Sequence, residues 1–152
     1  MIIRALEHTE LEVAEDIQCL FQDSYQAEAR LLGLEDFPPL RRTVSQIQGA
    51  DSLFLGCWSR ERLVALAELE RESDRAMNIA GFVVLPDMFR KGVGTALLTH
   101  IFTRFAECSI TVATARANVP AVALYTKHGF EVHERWRTPD GLPMVTFRTL
   151  CP

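Results

Sequence analysis

No apolar run in this chain approaches the ~18 residues that a membrane span requires. The opening stretch, MIIRALEHTELEVAED, carries acids where a secretory signal would place its apolar segment. A cytoplasmic protein with no membrane partner is the expectation. Metal-ligand spacing is missing as well: Cys19, Cys57, Cys108 and Cys151 stand singly, with no C-x-x-C and no nearby pair of histidines. That pattern excludes a zinc site and a disulfide framework, so no metal is expected and the thiols read as reduced, mostly core-filling groups. Internal repeats and low-complexity tracts are absent. There is no basic surplus either, since 16 Lys and Arg face 20 Asp and Glu for a net charge of −4. A duplex nucleic acid partner needs a strongly basic face, and none is expected here.

What remains is the composition of a soluble globular protein, with 48% hydrophobic and 24% charged residues, 7 Pro and 8 Gly in 152 residues. A single domain over residues 1–152 can bury its core without staples at this length. The charge is uneven: residues 1–52 hold ten acids against four bases, a balance of −6, and residues 53–152 hold ten against twelve, a balance of +2.

Periodicity predicts a strand over residues 1–6. Leu11, Ala14, Ile17, Leu20 and Phe21 give a helix over 10–22, and a second helix over 25–32 stops at Gly33. FPPLRR (37–42) is a loop, because serial prolines interrupt a helix, and a short helical stretch follows near 43–48. LFLGCW (53–58) and LVALAELE (63–70) form a hairpin across the polar connection SRER. A strand over about 75–85 ends at Pro86, and Val93, Leu97, Ile101 and Phe105 then stripe a helix reaching about Glu107. ITVATA (110–115) is a buried strand, and Asn118 caps a helix that lasts to His128 and stops at Gly129. FEVHERW alternates Phe130, Val132 and Trp136 inward against polar residues, TPDG turns, and Met144 to Leu150 closes an antiparallel hairpin. The order β-α-α-β-β-β-α-β-α-β-β is that of an α/β layered fold around a mixed sheet.

One stretch carries chemistry. In 84-VLPDMFRKGVGTALL-98, Arg90, Lys91, Gly92 and Gly94 lie between a strand and a helix start. A helix N-terminus leaves amides unpaired with a partial positive charge, and glycines let an anion approach them, so the stretch is built as an anion cradle. It is not a Walker loop, which needs G-x-x-x-x-G-K-[ST], nor a dinucleotide fingerprint, since Leu97 stands where a third glycine belongs. It does resemble the acetyl-CoA motif of the GNAT superfamily of N-acyltransferases, [QR]-x-x-G-x-[GA], read here as 89-FRKGVG-94 with Phe89 departing at the first position. The stretch 118-NVPAVALYTKHGFE-131 resembles that family's second signature, N-x-x-A-x-x-L-Y-x-K-x-G-F, matched in register by Asn118, Ala121, Leu124, Tyr125, Lys127, Gly129 and Phe130.

The resemblance implies the acyl-CoA N-acyltransferase fold, a mixed and mostly antiparallel central sheet flanked by helices, and acetyl-CoA as co-substrate. It implies a cleft where the strand before the glycine loop splays from the strand after the long helix. Backbone groups near Val83, Val84 and Leu85 would pair with the pantetheine arm. Phe89, Arg90, Lys91, Gly92, Val93, Gly94 and Thr95 would hold the pyrophosphate, with Asn118, Ala121 and Lys127 on the cofactor side of the neighbouring helix. An amine would attack the thioester directly, a backbone amide would stabilise the oxyanion, and Tyr125 would act as general acid. Asn118 and Tyr125 lie about two turns apart, along one helix face.

For the general base, some relatives place a Glu on the strand before the asparagine, where this chain has Thr111, Ala113 and Ala115. Glu68 and Glu70 share a strand face and either hold a water near the acceptor or are solvated edge charges. His8 and His100 read as structural, His128 and His133 as surface groups. The acceptor, a small-molecule or peptide amine, would meet Asp23, Tyr25, Glu28 and the FPPLRR loop. The acidic N-terminal third favours a cationic amine, whereas Arg41 and Arg42 could recognise a carboxylate. A homodimer stays open. The alternative from another class is a non-catalytic acyl-CoA-binding sensor or interaction module on the same fold.

Overall fold

The computed structural model describes residues 1–149; Leu150, at the end of the expected last strand, and Cys151 lie outside the described residues. In chain order the elements are β1 (Ile2–Ala5), α1 (Leu11–Leu32), a 3₁₀ turn (Pro38–Arg41), α2 (Val44–Gln48), β2 (Leu53–Ser59), β3 (Arg62–Ser73) and β4 (Ala76–Val84). A second 3₁₀ turn (Pro86–Met88), α3 (Val93–Arg104), β5 (Ser109–Ala115), α4 (Val119–Lys127), β6 (Glu131–Arg137) and β7 (Pro143–Thr149) follow. One seven-stranded sheet takes all the strands in the order β1-β2-β3-β4-β5-β7-β6. Every neighbouring pair is antiparallel except β4 and β5, whose parallel pairing requires the long crossover that carries α3. The mixed, mostly antiparallel α/β sheet expected from the sequence is the one observed. No helix among the described residues is long and apolar enough to cross a membrane.

Three local expectations are corrected. The two helices expected before Gly33 are one, α1, because Asp23 and Ser24 are only weak helix formers, not breakers, and the stripe Ala14, Ile17, Leu20, Phe21, Ser24 stays buried through them. Gly33 ends it in the left-handed region at φ 69, where its amide and that of Leu34 close back on Arg30 and Ala29. The β2–β3 connection is two residues rather than four, with Arg60 at φ 59 making the turn. Finally, the alternation in β6 buries nothing: it is the edge strand, exposed at every position, with Val132 at 45% and Trp136 at 37%. Cys19 is exposed, whereas Cys57 and Cys108 are buried as expected.

Two features of β4 position the site. Glu68 pairs with Gly81 but Leu69 pairs with Ile79, so Ala80 is an extra residue on β4. Such a bulge bends its strand. The parallel pairing to β5 ends at the same point, at Ile79 with Val112, so the rest of β4 faces a gap. The two faces there are distinguished by neighbours: Gly81 lies under Phe21 and Tyr25 of α1, while Phe82 lies under α3 and α4, near Gly94 and Tyr125.

The contact between those last two helices is close enough to dictate a residue. A Cβ on Gly94 would sit 3.1 Å from a Leu124 methyl, so glycine allows α3 to approach α4. Gly94→Val is expected to lower stability by about 1–3 kcal/mol through overpacking, and Leu124→Ala in the same chain should recover part of the loss. Urea unfolding of the single and double variants checks it; a double variant no better than the sum of the singles would point to backbone effects instead.

Candidate active site

At the top of the gap the chain leaves β4, turns through Pro86–Met88 and enters α3 from Gly92, an N-cap in the left-handed region at φ 78. A Cβ at Gly92 would meet nothing within 4 Å, so it is the backbone conformation that calls for glycine there. Arg90, also at positive φ (62), and Lys91 are exposed beside it. The amide of Phe89 is taken by the Pro86 carbonyl at 3.2 Å, and the first bond into the helix runs from Ala96 to the Gly92 carbonyl. Between them the amides of Arg90 to Thr95 donate to no backbone carbonyl among the described residues, and they surround one helix N-terminus. Phe89 itself is 52% exposed, and its amide is not among those available. The Thr95 hydroxyl lies 3.0 Å from His128 Nε2, so His128 joins α4 to the start of α3 instead of being a free surface group.

Of the β4 positions expected to carry the cofactor, Val83 and Leu85 are buried and Val84 is half-buried. The Leu85 amide donates to Val64 of β3 at 2.9 Å, so it does not face the gap. Hydrogen-bonding directions alternate along a strand, which turns the backbone groups of Val84 and Phe82 toward the gap.

Three ionisable side chains converge where β4 and β5 part. Tyr125 of α4 is buried, its ring held by Phe82, Phe130 and Phe147 at centroid distances of 5.9, 5.4 and 6.0 Å. Tyr25 of α1 stacks on Phe21 and places its hydroxyl over Gly81, 3.4 Å from where a Cβ would be. One turn further along α1, Glu28 Oε1 accepts a hydrogen bond from Asn118 Nδ2 at 3.0 Å, while Asn118 Oδ1 caps α4 by accepting from the Ala121 amide at 3.3 Å. Asn118 lies three residues past Ala115, the last residue of β5, so its bond places Glu28 toward the open end of the gap. The two phenols lie over opposite faces of the sheet where no β4–β5 pairing is present, and Tyr25 bears on the Tyr125 phenol.

The electrostatics separate these groups sharply. Burial, then the charges of Glu28 and Glu68, push the Tyr25 phenol above its ordinary value. Burial, then Tyr25 and Glu28, do the same for Tyr125, so both remain protonated donors at neutral pH. Burial raises Glu28 too, against the opposing bond from Asn118. For Glu68 burial also pushes upward, but the hydrogen bonds from Arg42 and Ser52 and the Arg42 charge outweigh it and hold the carboxyl below the usual range.

Glu68 is therefore not the solvated edge charge that its strand position suggested. It is 4% exposed and gripped by both guanidinium nitrogens of Arg42, one at 2.9 Å, and by the Ser52 hydroxyl. Arg42 is thus held by Glu68, whereas Arg41 forms an exposed surface pair with Asp36. Glu70 is exposed, past the end of the buried run of β3. Ala121 is half-buried and Lys127 exposed at the last turn of α4. His8, read as structural, bonds the Ala50 carbonyl at 2.7 Å. Sequence reasoning missed Gly81 and Phe82. A lone glycine inside a strand pattern was the available signal for the first; nothing local announced the Glu28–Asn118 bond, which spans 90 residues.

Two open grooves lie beside this region, and neither is lined by Tyr25, Glu28 or Tyr125. One of about 410 Å³ runs between α1 (Asp23, Ala27, Arg30) and the end of β4 (Leu85, Pro86, Asp87). The other, about 620 Å³, passes Arg60, Arg62, Met88 and Lys91 below the loop. Among the described residues no group of three or more His, Cys, Asp or Glu could hold a metal ion.

A sheet whose parallel pair parts in mid-strand, with an amide-rich helix entry on one side and a buried tyrosine on the other, defines the acyl-CoA N-acyltransferase class. The family model described as "Acetyltransferase (GNAT) domain" matches residues 25–151, and the chain belongs to that family. Over 147 residues it is 33% identical to the UPF0157 protein YqkA of Bacillus subtilis (strain 168), covering 96% of this chain but 43% of that protein. The chain thus spans less than half of that relative's length. Its fold is similar to the ribosomal-protein-S18-alanine N-acetyltransferase of Escherichia coli, with TM-score 0.74, 20% identity and coverage of 97% and 92% of the two chains. It is also similar to the PaiA N-acetyltransferase of Thermoplasma acidophilum, solved with coenzyme A, with TM-score 0.73, 17% identity and coverage of 96% and 98%.

Breaking the Glu68–Arg42 pair leaves a buried charge uncompensated, so Glu68→Gln is expected to cost on the order of 3 kcal/mol at neutral pH. A carboxyl whose folded value is depressed stabilises fully above its unfolded value and loses that contribution as pH falls through the folded one. Urea unfolding should therefore show a constant gap between wild type and variant from about pH 6 to 8, closing below about pH 4.

Proposed function

We propose that this chain, acting as one domain, transfers acetyl from acetyl-CoA to a primary amine by direct attack in a ternary complex. The observation that carries the reading is the parting of β4 from β5 at Ile79 and Val112, with unpaired amides at one end of the gap and the Tyr125 ring at the other. The pantetheine arm would lie in the gap as an added strand, pairing with backbone groups of Phe82 and Val84. The amides of Arg90 to Thr95 would receive the diphosphate, with Arg90 and Lys91 adding charge. A backbone amide of the gap edge would face the developing oxyanion, and Tyr125, kept protonated by burial, would donate to the departing thiolate. Glu68 would serve by positioning: it holds Arg42 beneath Phe21 and Tyr25, and with them the acceptor wall. The acceptor would enter from the side of the groove between α1 and the end of β4, beside Asp23, and go on toward Tyr25 and Glu28.

Thiol release from acetyl-CoA across a panel of amines tests the reading, with coenzyme A affinity measured alongside. Tyr125→Phe is expected to lower kcat by about 10²-fold while leaving coenzyme A affinity within a few-fold; an unchanged kcat with chemistry limiting removes Tyr125 as the acid. Binding of coenzyme A with no thiol release for any amine would favour the non-catalytic sensor on the same fold.

A further inference from the structure

The acyl-transfer reading leaves one proton without a destination. An alkyl amine is an ammonium ion in neutral water and has no lone pair for attack until it is deprotonated. On β5, Thr111, Ala113 and Ala115 offer no proton acceptor at neutral pH. Glu68 has its two oxygens occupied by Arg42 and Ser52, and Glu70 points to solvent past the buried part of β3. His128 is joined to Thr95. Among the described residues, the Glu28 carboxylate at the parting of the strands has no cation on it, and a single neutral amide holds only one of its oxygens.

We propose that Glu28 is the catalytic base, its carboxylate held by Asn118 at the mouth of the β4–β5 gap so that the free oxygen receives the proton of the incoming ammonium. This rests on the acetyl-transfer reading above. Asn118 does two things at once: its carbonyl caps α4, which carries Tyr125, and its amide orients Glu28, so base and acid are referenced to one residue. The titratable groups on which the Glu28 charge bears are Tyr25, from its own helix, and Tyr125, from α4; the Arg42–Glu68 pair lies on the far side of Tyr25, with Glu70 beyond it. The phenols are neutral and the pair cancels, which leaves Glu28 as the negative charge that an ammonium group would seek. Its raised basicity, caused by burial, suits proton removal.

The step balances. The ammonium gives a proton to Glu28, and the free amine forms the C–N bond to the thioester carbon. As the C–S bond breaks, coenzyme A leaves as a thiol with the proton of Tyr125. The nitrogen of the intermediate returns a proton to the phenolate, and Glu28 releases its own to water. The substrate class that follows is a primary amine that arrives charged, with no carboxylate close to the reacting nitrogen.

The test uses whole protein and the amine that releases thiol fastest. Glu28→Gln is expected to melt no earlier than wild type, because glutamine still accepts from Asn118 without a buried charge, and to keep coenzyme A affinity. Its kcat should fall about 10²-fold, and the acidic limb of the kcat profile should vanish. Glu28→Asp should keep that limb at reduced kcat. With an alkoxyamine, which arrives neutral at pH 7, the deficit of Glu28→Gln should shrink to a few-fold. Near wild-type turnover, or an intact acidic limb, in Glu28→Gln overturns the assignment and leaves acetyl transfer standing. Early melting or lost coenzyme A affinity in that variant also overturns it, by making the carboxylate structural. Failure of wild type to release thiol with any amine, despite binding coenzyme A, removes the acetyl-transfer reading and this assignment with it.

Discussion

Strands β4 and β5 cannot stay paired past Ile79 and Val112, and the site is arranged around that parting. The extra residue at Ala80 bends β4 away while β5 continues straight along β7 to Ala115. A sheet interior normally leaves no backbone group unpaired, so a gap in mid-sheet is a standing demand for a strand-like partner. In the proposed reading pantetheine, with amides spaced along an extended arm, would meet that demand without any side chain having to recognise it. Gly81 contributes on the other face by leaving room for the Tyr25 hydroxyl directly above the bent segment.

Charge is managed by cancellation on one side of the gap and by isolation on the other. Arg42 and Ser52 neutralise Glu68 beneath the aromatic wall of Phe21 and Phe54, and the guanidinium lies 5.9 and 5.7 Å from those rings. Buried pairs of this kind contribute more to geometry than to net stability. Glu28 receives only a neutral amide. The difference between the two carboxylates is therefore one of partners, not of residue type, and it gives them different chemistry within a few residues' reach of the same tyrosine.

Helix α1 brings Phe21, Tyr25 and Glu28 to the gap together because it runs unbroken. A break near Asp23, as periodicity suggested, would have allowed Tyr25 and Glu28 to take any azimuth relative to Phe21. As one helix, they fall on the face that already packs on the sheet. The loop and 3₁₀ turn after it then bring Arg42 back to Glu68, 26 residues along the chain.

Local chemistry was readable from the residues alone. The Gly92 turn, the Asn118 cap, the Gly33 stop and the order of strands each depend on backbone preferences of a few adjacent residues, and they appear where the sequence puts them. What only the tertiary structure decided is which side chains share a space: Glu28 with Asn118, Glu68 with Arg42, Tyr25 with Gly81, Gly94 with Leu124, and an edge strand whose alternation faces no layer. The physical reason is that a cap or a turn is satisfied within one loop of chain. The state of a carboxylate is set instead by whatever distant element packs against it, and no short stretch of sequence records that.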